Sequence, residues 1–149
     1  MASKKSVSVT RVINAPAEAI FGILADPSKH PEIDGSGTVV RAKGGSTRLS
    51  LGDKFGMDMK LVVPYSMQNT VVEFEQGRLI AWRHLGGHRW RYELEPAGEG
   101  TRVTETFDWS TSHAPWFIEL VGFPKRHPAA MDKTLERLEA LVTGQPATS

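Results

Sequence analysis

The chain has 149 residues, 40% of them apolar, with 18 basic and 17 acidic side chains and no cysteine. That length and composition suit one domain with a single substantial core, and the near-balanced charge of +1 gives no ground for a phosphate backbone, an anionic membrane or a polyacidic partner. The missing cysteines exclude disulfides, thiolate nucleophiles and cysteine metal sites, and suit a reducing compartment.

The basic start Met-Ala-Ser-Lys-Lys-Ser is followed by Val-Ser-Val-Thr-Arg-Val, which alternates polar and apolar residues where a signal peptide needs an apolar run. No segment is long and apolar enough to span a bilayer, so the expectation is a soluble, cytoplasmic protein. The alternation of Val7, Val9, Arg11 and Ile13 against Ser8, Thr10 and Val12 predicts a first strand with one face partly buried. Pro16 suits a first helical turn, and Ile20, Phe21 and Leu24 follow at helical spacing. Asp26-Pro27 interrupts this short helix, and residues 27–34 read as a second helical turn or structured loop, with Asp26, His30 and Asp34 capping and solvating the insert.

Six further segments are strand-like: 39–45, 54–63, 68–74, 78–85, 89–95 and 101–109. The breaks at Gly44-Gly45, Pro64-Tyr65, Gln76-Gly77, Gly86-Gly87 and Gly98-Glu99-Gly100 are short enough to join antiparallel neighbours. The pattern then turns helical. A helix over 116–123, a break near Pro124 and Pro128, and a long helix over 129–142 ended by Gly144 are predicted. In the long helix Met131, Leu135, Leu138 and Val142 form an apolar stripe, while Asp132, Lys133, Glu136, Arg137 and Glu139 face away. Such a stripe needs an apolar surface, and the sheet is the one element large enough to provide it. Residues 1–144 therefore read as one domain, and 145–149 as a disordered tail.

The segments Ile13-Asn-Ala-Pro-Ala-Glu-Ala-Ile-Phe-Gly-Ile-Leu-Ala-Asp26-Pro27, Arg78-Leu-Ile-Ala-Trp82-Arg and Gly100-Thr-Arg-Val-Thr-Glu-Thr-Phe-Asp-Trp109 resemble the polyketide cyclase/dehydrase, START-like (Bet v 1-like, SRPBCC) superfamily. The resemblance covers nearly the whole chain. It implies an α+β helix-grip fold: a seven-stranded curved antiparallel sheet, two short helices after the first strand, and a long C-terminal helix over an internal pocket for a hydrophobic small molecule. The superfamily includes carriers, receptors, cyclases and cochaperone-like domains, so fold alone does not choose between them. His30-Pro-Glu-Ile-Asp-Gly lacks the tryptophans frequent there in relatives, so entrance-loop details do not carry over.

Strand alternation selects the candidate site. A three-residue loop of Gly86, Gly87 and His88 would pair Leu85 with Arg89, His84 with Trp90, Trp82 with Tyr92 and Ile80 with Leu94, making one face uniformly apolar and aromatic. The other face would hold Arg83 beside Arg91 and Ala81 beside Glu93. A two-residue Gly-Gly loop would mix the faces. In the last strand Val103, Phe107 and Trp109 point inward together with Glu105, whose carboxylate is costly there unless paired, hydrogen-bonded or protonated. Glu105 is thus a candidate polar anchor or general base, with His84 the other catalytic candidate. A structural hydrogen bond to a Tyr or Trp is the alternative. Phe55, Met57, Met59 and Leu61 share one face of the third strand, and Trp116, Phe117, Met131 and Leu135 would approach from the helical side. As plain core, each of these would be equally at home.

The expected ligand contacts are Phe55, Met57, Met59, Trp82, His84, Trp90, Tyr92, Glu105, Phe107, Trp109, Trp116, Met131 and Leu135. No cofactor or metal set is indicated: His84 and His88 flank a turn, Ser110, Ser112 and His113 lack a nucleophile elbow, and Gly35-Ser-Gly37 and Gly44-Gly45 lack a phosphate-loop lysine. His88-Arg-Trp-Arg-Tyr separates arginines from aromatics by alternation, against nucleic-acid binding. The expected partner is a hydrophobic small molecule, with the chain a monomer or homodimer and not integral to a membrane. Three functions follow in order: a binder or carrier of a lipid, isoprenoid or polyketide-like aromatic; a cyclase/dehydrase-type enzyme using Glu105 or His84; and a cochaperone-like interaction module.

Overall fold

The computed structural model describes residues 6–34, 39–43, 49–60, 64–84, 88–110 and 123–144; at 39–43, 58–60, 64–67, 84 and 123–127 it describes the main chain only. The strands are β1 (Ser6–Ile13), β2 (Val39–Lys43), β3 (Lys54–Lys60), β4 (Pro64–Glu75), β5 (Leu79–His84), β6 (Arg89–Ala97) and β7 (Gly100–Asp108). They form one antiparallel sheet in the order β1-β7-β6-β5-β4-β3-β2. Consecutive strands from β2 to β7 are neighbours, as short connections favour, and β1 joins the far edge against β7. The β6–β7 connection is a two-residue turn in which Gly98 takes φ 62°, and the next glycine, Gly100, lies so close to Ile13 that a Cβ there would strike the Ile13 carbonyl oxygen.

Two short helices, α1 (Ala17–Leu24) and α2 (His30–Ile33), follow β1, separated by a 3-10 turn at Pro27–Lys29. Asp26 caps that turn as expected, accepting from the Ser28 N–H at 3.0 Å and the Ser28 hydroxyl at 2.7 Å. His30 departs from the expectation of a solvated residue. It is buried, and Nε2 donates to the Leu24 carbonyl at 2.9 Å, because the chain folds the α2 turn back under the end of α1.

The long helix, α3 (Phe123–Thr143), also corrects the sequence reading, since it begins before both prolines instead of after them. Pro124 lies in the first turn, where its missing N–H has no helical partner to lose. Pro128 gives up only one further bond. Apart from Phe123, the helix predicted over 116–123 lies outside the described residues, as does the tail predicted over 145–149. Met131, Leu135 and Leu138 are buried as the stripe requires, and Gly144 closes the helix with φ 72°. Two residues expected to face away are instead ties, one to the sheet and one to the end of α2. Glu139 accepts from Arg11 Nη2 at 2.8 Å and Nε at 3.2 Å, and Arg137 donates to the Asp34 carbonyl at 2.5 Å. Long side chains on the flanks of an apolar stripe reach past it to polar partners at its margin.

Two strand details differ from the sequence reading. Pro64-Tyr65 opens β4 rather than breaking the chain, with Pro64 at a strand's first position, where proline is tolerated. The β5–β6 register lies two residues from the expected one: Trp82 pairs with Trp90, Ile80 with Tyr92, and Ala81 with Arg91. A two-residue slide leaves every side chain on its expected face. The expected register set Arg91 beside Arg83. In the observed one, Arg91 lies over Ala81 and reaches Glu73 on β4 at 2.7 Å, with Arg89 joining the same carboxylate at 3.3 Å. One like-charge contact is thereby exchanged for an ion-pair cluster on the outer face, although Arg83 still faces Arg89. A bulge between Val71 and Glu73 lets Val71 and Phe74 both serve the core despite their odd spacing.

Candidate functional site

The inner face of the sheet, below α1, α2 and α3, carries the candidate residues in cross-strand rows. One row runs Val7, Phe107, Trp90, Trp82, Val71, and the next runs Val9, Glu105, Tyr92, Ile80, Phe74. Period-two alternation put these side chains on one face, and the register put Glu105 directly opposite Tyr92. Among the described residues the apolar core divides here into two groups. One contains Val103, Tyr92, Trp82, Leu135 and Leu138, the other Phe107, Trp109 and Met131, and Val9 and Trp90 pack against both. Glu105 stands between Val103 and Phe107, at the seam.

The Glu105 side chain is 1% exposed. Burial pushes its pKa up to about 8; the Tyr92 hydroxyl, donating to the carboxyl, opposes this, and the negative charges of Asp34 and Asp132 reinforce it. Burial therefore favours the protonated form of Glu105 in the folded chain. Oε1 has no hydrogen-bond partner among the described residues, so Tyr92 serves the other oxygen and Oε1 is free to carry the acid proton. Burial, and then the charge and hydrogen bond of Glu105, push the Tyr92 hydroxyl well above its ordinary value, which keeps it a donor. A protonated acid held on an apolar floor can donate to a carbonyl, or pass a proton to one.

Beside this carboxyl lies an aromatic group. Trp82 stacks on His30 at 4.8 Å between ring centroids, meets Phe55 edge-on at 5.5 Å and lies 5.6 Å from Tyr92. Trp90 and Phe107 are 4.8 Å apart, and Phe107 and Trp109 5.7 Å. Burial lowers the His30 pKa to about 4, so the ring is neutral while stacked.

Of the expected residues, the structure brings Phe55, Met57, Trp82, Tyr92, Glu105, Phe107, Trp109, Met131 and Leu135 into the buried interior, with Trp90 half-buried beside them. Met59 and His84 occupy the expected strands, their side chains outside the described set, and Trp116 and Phe117 lie outside the described residues altogether. Two interior polar residues escaped the sequence reading. His30 sits in a turn with no periodicity to signal its facing. Asn69, 2% exposed with Oδ1 unpartnered among the described residues, does carry a signal: it alternates with inward Val71 on one strand.

A family model described as polyketide cyclase / dehydrase and lipid transport matches residues 4–143. The chain belongs to this family. Solved structures share its fold at low sequence identity. Protein CV1439 from Chromobacterium violaceum superposes with a TM-score of 0.71 at 17% identity, covering 93% of this chain and 96% of that one. Protein NE0264 from Nitrosomonas europaea gives 0.73 at 16% identity, covering 97% of each. In sequence, the chain is 41% identical over 138 residues to the uncharacterised protein Rv0088 of Mycobacterium tuberculosis, a match covering 89% of this chain and 62% of that protein's length. No helix among the described residues is long and apolar enough to cross a membrane.

Proposed function

We propose that the chain binds a hydrophobic small molecule, a lipid, isoprenoid or polyketide-like aromatic, against the inner face of its sheet, with Glu105 meeting the ligand's polar group. The observation that carries this reading is the Glu105 carboxyl itself, fully buried between two apolar groups with Oε1 unpartnered among the described residues. An unpartnered buried polar atom costs about 1–3 kcal/mol, a penalty that a ligand's polar group would offset. The family description, which joins cyclases and dehydrases to lipid transport, supports the ligand class. The folded protein should bind the neutral dye Nile red saturably at one site, with displacement by long-chain alcohols or polycyclic aromatics. Absence of saturable binding in fluorescence titrations would remove this reading.

Acid–base catalysis of the cyclase or dehydrase type is the second reading, and one observation favours it: the buried Glu105 carboxyl lies opposite Tyr92 with Oε1 unpartnered among the described residues, and burial raises its pKa toward the range where it can donate and recover a proton. For an enzyme, Glu105→Gln should abolish turnover while leaving substrate affinity within a few fold, because the amide keeps shape and hydrogen bonding but no labile acid proton. Retained turnover in the variant would exclude Glu105 as the acid. The interaction-module reading has less support. The large apolar side chains exposed among the described residues, Val12, Leu51 and Leu141, lie on three different parts of the fold.

A further inference from the structure

We infer that the Glu105 site selects uncharged ligands bearing a carbonyl acceptor, such as a ketone, ester or quinone, and rejects carboxylates, including free fatty acids. This rests on the binding reading above and specifies the ligand's polar end.

The argument begins with what each group can offer. Tyr92, from β6, spends its hydroxyl proton on one carboxyl oxygen, which leaves Oε1 as the atom open to a ligand's hydrogen bond. Held between Val103 and Phe107 and away from water, the carboxyl is a neutral acid, so Oε1 presents O–H and calls for an acceptor. A carbonyl oxygen supplies one and brings no charge.

The charges that act on this point from the helical side are negative. Asp34 follows α2, Asp132 lies on α3, and both act on Glu105 as negative charges; β1 contributes apolar Val9 opposite it. Of the cations on the neighbouring elements, Arg11 is engaged with Glu139, Arg137 with the Asp34 carbonyl, and Arg89 and Arg91 with Glu73 on the outer face, while Lys133 is exposed to solvent. A ligand carboxylate would thus lose its water on an apolar surface and meet the negative charge of Asp34, with none of these arginines free to pair with it. The acceptor preference comes from the Oε1 proton. The charge preference comes from burial, reinforced by Asp34.

Three matched naphthalene probes separate these effects: 6-propionyl-2-(dimethylamino)naphthalene, the corresponding 6-carboxylate, and 2-(dimethylamino)naphthalene without an acyl group. Titrated by fluorescence at pH 6.5, the ketone should bind at least about tenfold tighter than either of the others. At pH 9.5 the ionised carboxyl loses its proton donor, so the ketone's affinity should fall about tenfold and approach that of the unsubstituted probe. Glu105→Gln, checked for native circular dichroism, should keep ketone binding through its amide N–H and lose the pH dependence. Ketone binding no tighter than that of the unsubstituted probe, or carboxylate binding equal to or tighter than the ketone's, overturns the selectivity while leaving hydrophobic binding intact. A pH-independent ketone affinity in the wild type overturns it too. Saturable binding of none of the three would instead overturn the binding reading beneath it.

Discussion

Leu135→Ala should destabilise the protein by about 2 to 5 kcal/mol, the range for deleting a buried leucine side chain and leaving a partly relaxed cavity. Leu135 is fully buried in the middle of the α3 stripe, in the same core as Ile13, Leu94 and Val103. Its neighbours one turn away on each side, Met131 and Leu138, are also buried, so the helix cannot rotate to refill the space without exposing one of them. Urea denaturation of wild type and variant at one pH measures the difference. A ligand cavity reaching Leu135 would lower the cost, because part of the space is then already open. A loss below about 1 kcal/mol would mean that the helix does not dock by this stripe, and the architecture would have to be redrawn.

The second large effect is a pH-dependent gain in stability on replacing Glu105 by Gln. The folded state raises the Glu105 pKa from 4.5 to about 8, chiefly by burial. An acid whose folded pKa is raised keeps its proton in the folded state after the unfolded chain has released it. Its contribution to stability is therefore complete below pH 4.5 and is lost as pH rises toward 8. Gln has no proton to lose. The variant should match the wild type within about 1 kcal/mol near pH 4 and gain on it by about 1.4 kcal/mol per pH unit above 4.5, levelling off near pH 8. His30 and His88 act in the opposite sense. Burial lowers both to about 4, so their contribution is complete above the unfolded value of 6.5 and is lost as pH falls toward 4. Because both proteins retain these histidines, their contribution cancels in the difference between the two curves. Parallel stability curves for variant and wild type would show that Glu105 ionises freely and is not held on the apolar face.

Much of the inner face was legible because facing in a strand is a local, period-two property. Val103, Glu105 and Phe107 needed only their own alternation to be placed on one side, and the same holds for Trp82, Trp90 and Tyr92. The β5–β6 register lies two residues from the one its turn suggests, yet each of these stays on its face, since an even slide preserves facing. What the turn geometry could not supply was the ion-pair cluster of Arg89 and Arg91 on Glu73, a third-strand effect that favours the observed register. The helix boundary at Phe123 was missed for a different reason. Proline forbids a bond that the first turn does not make, so Pro124 is as compatible with a helix beginning as with one ending.

By itself, the sequence determined the order of elements, the apolar stripe of α3, and the presence of a carboxyl among aromatic residues on the inner face. Only the tertiary structure decided what that carboxyl is. Tyr92 meets Glu105 through the β6–β7 register, while Asp34 and Asp132 approach it from two helical elements distant in sequence, and His30 is carried from an expected surface turn onto Trp82. Alternation is set by the geometry of one strand, whereas desolvation and charge repulsion sum over every element that closes around a group. That is why the position of Glu105 could be read along the chain and its protonation state could not.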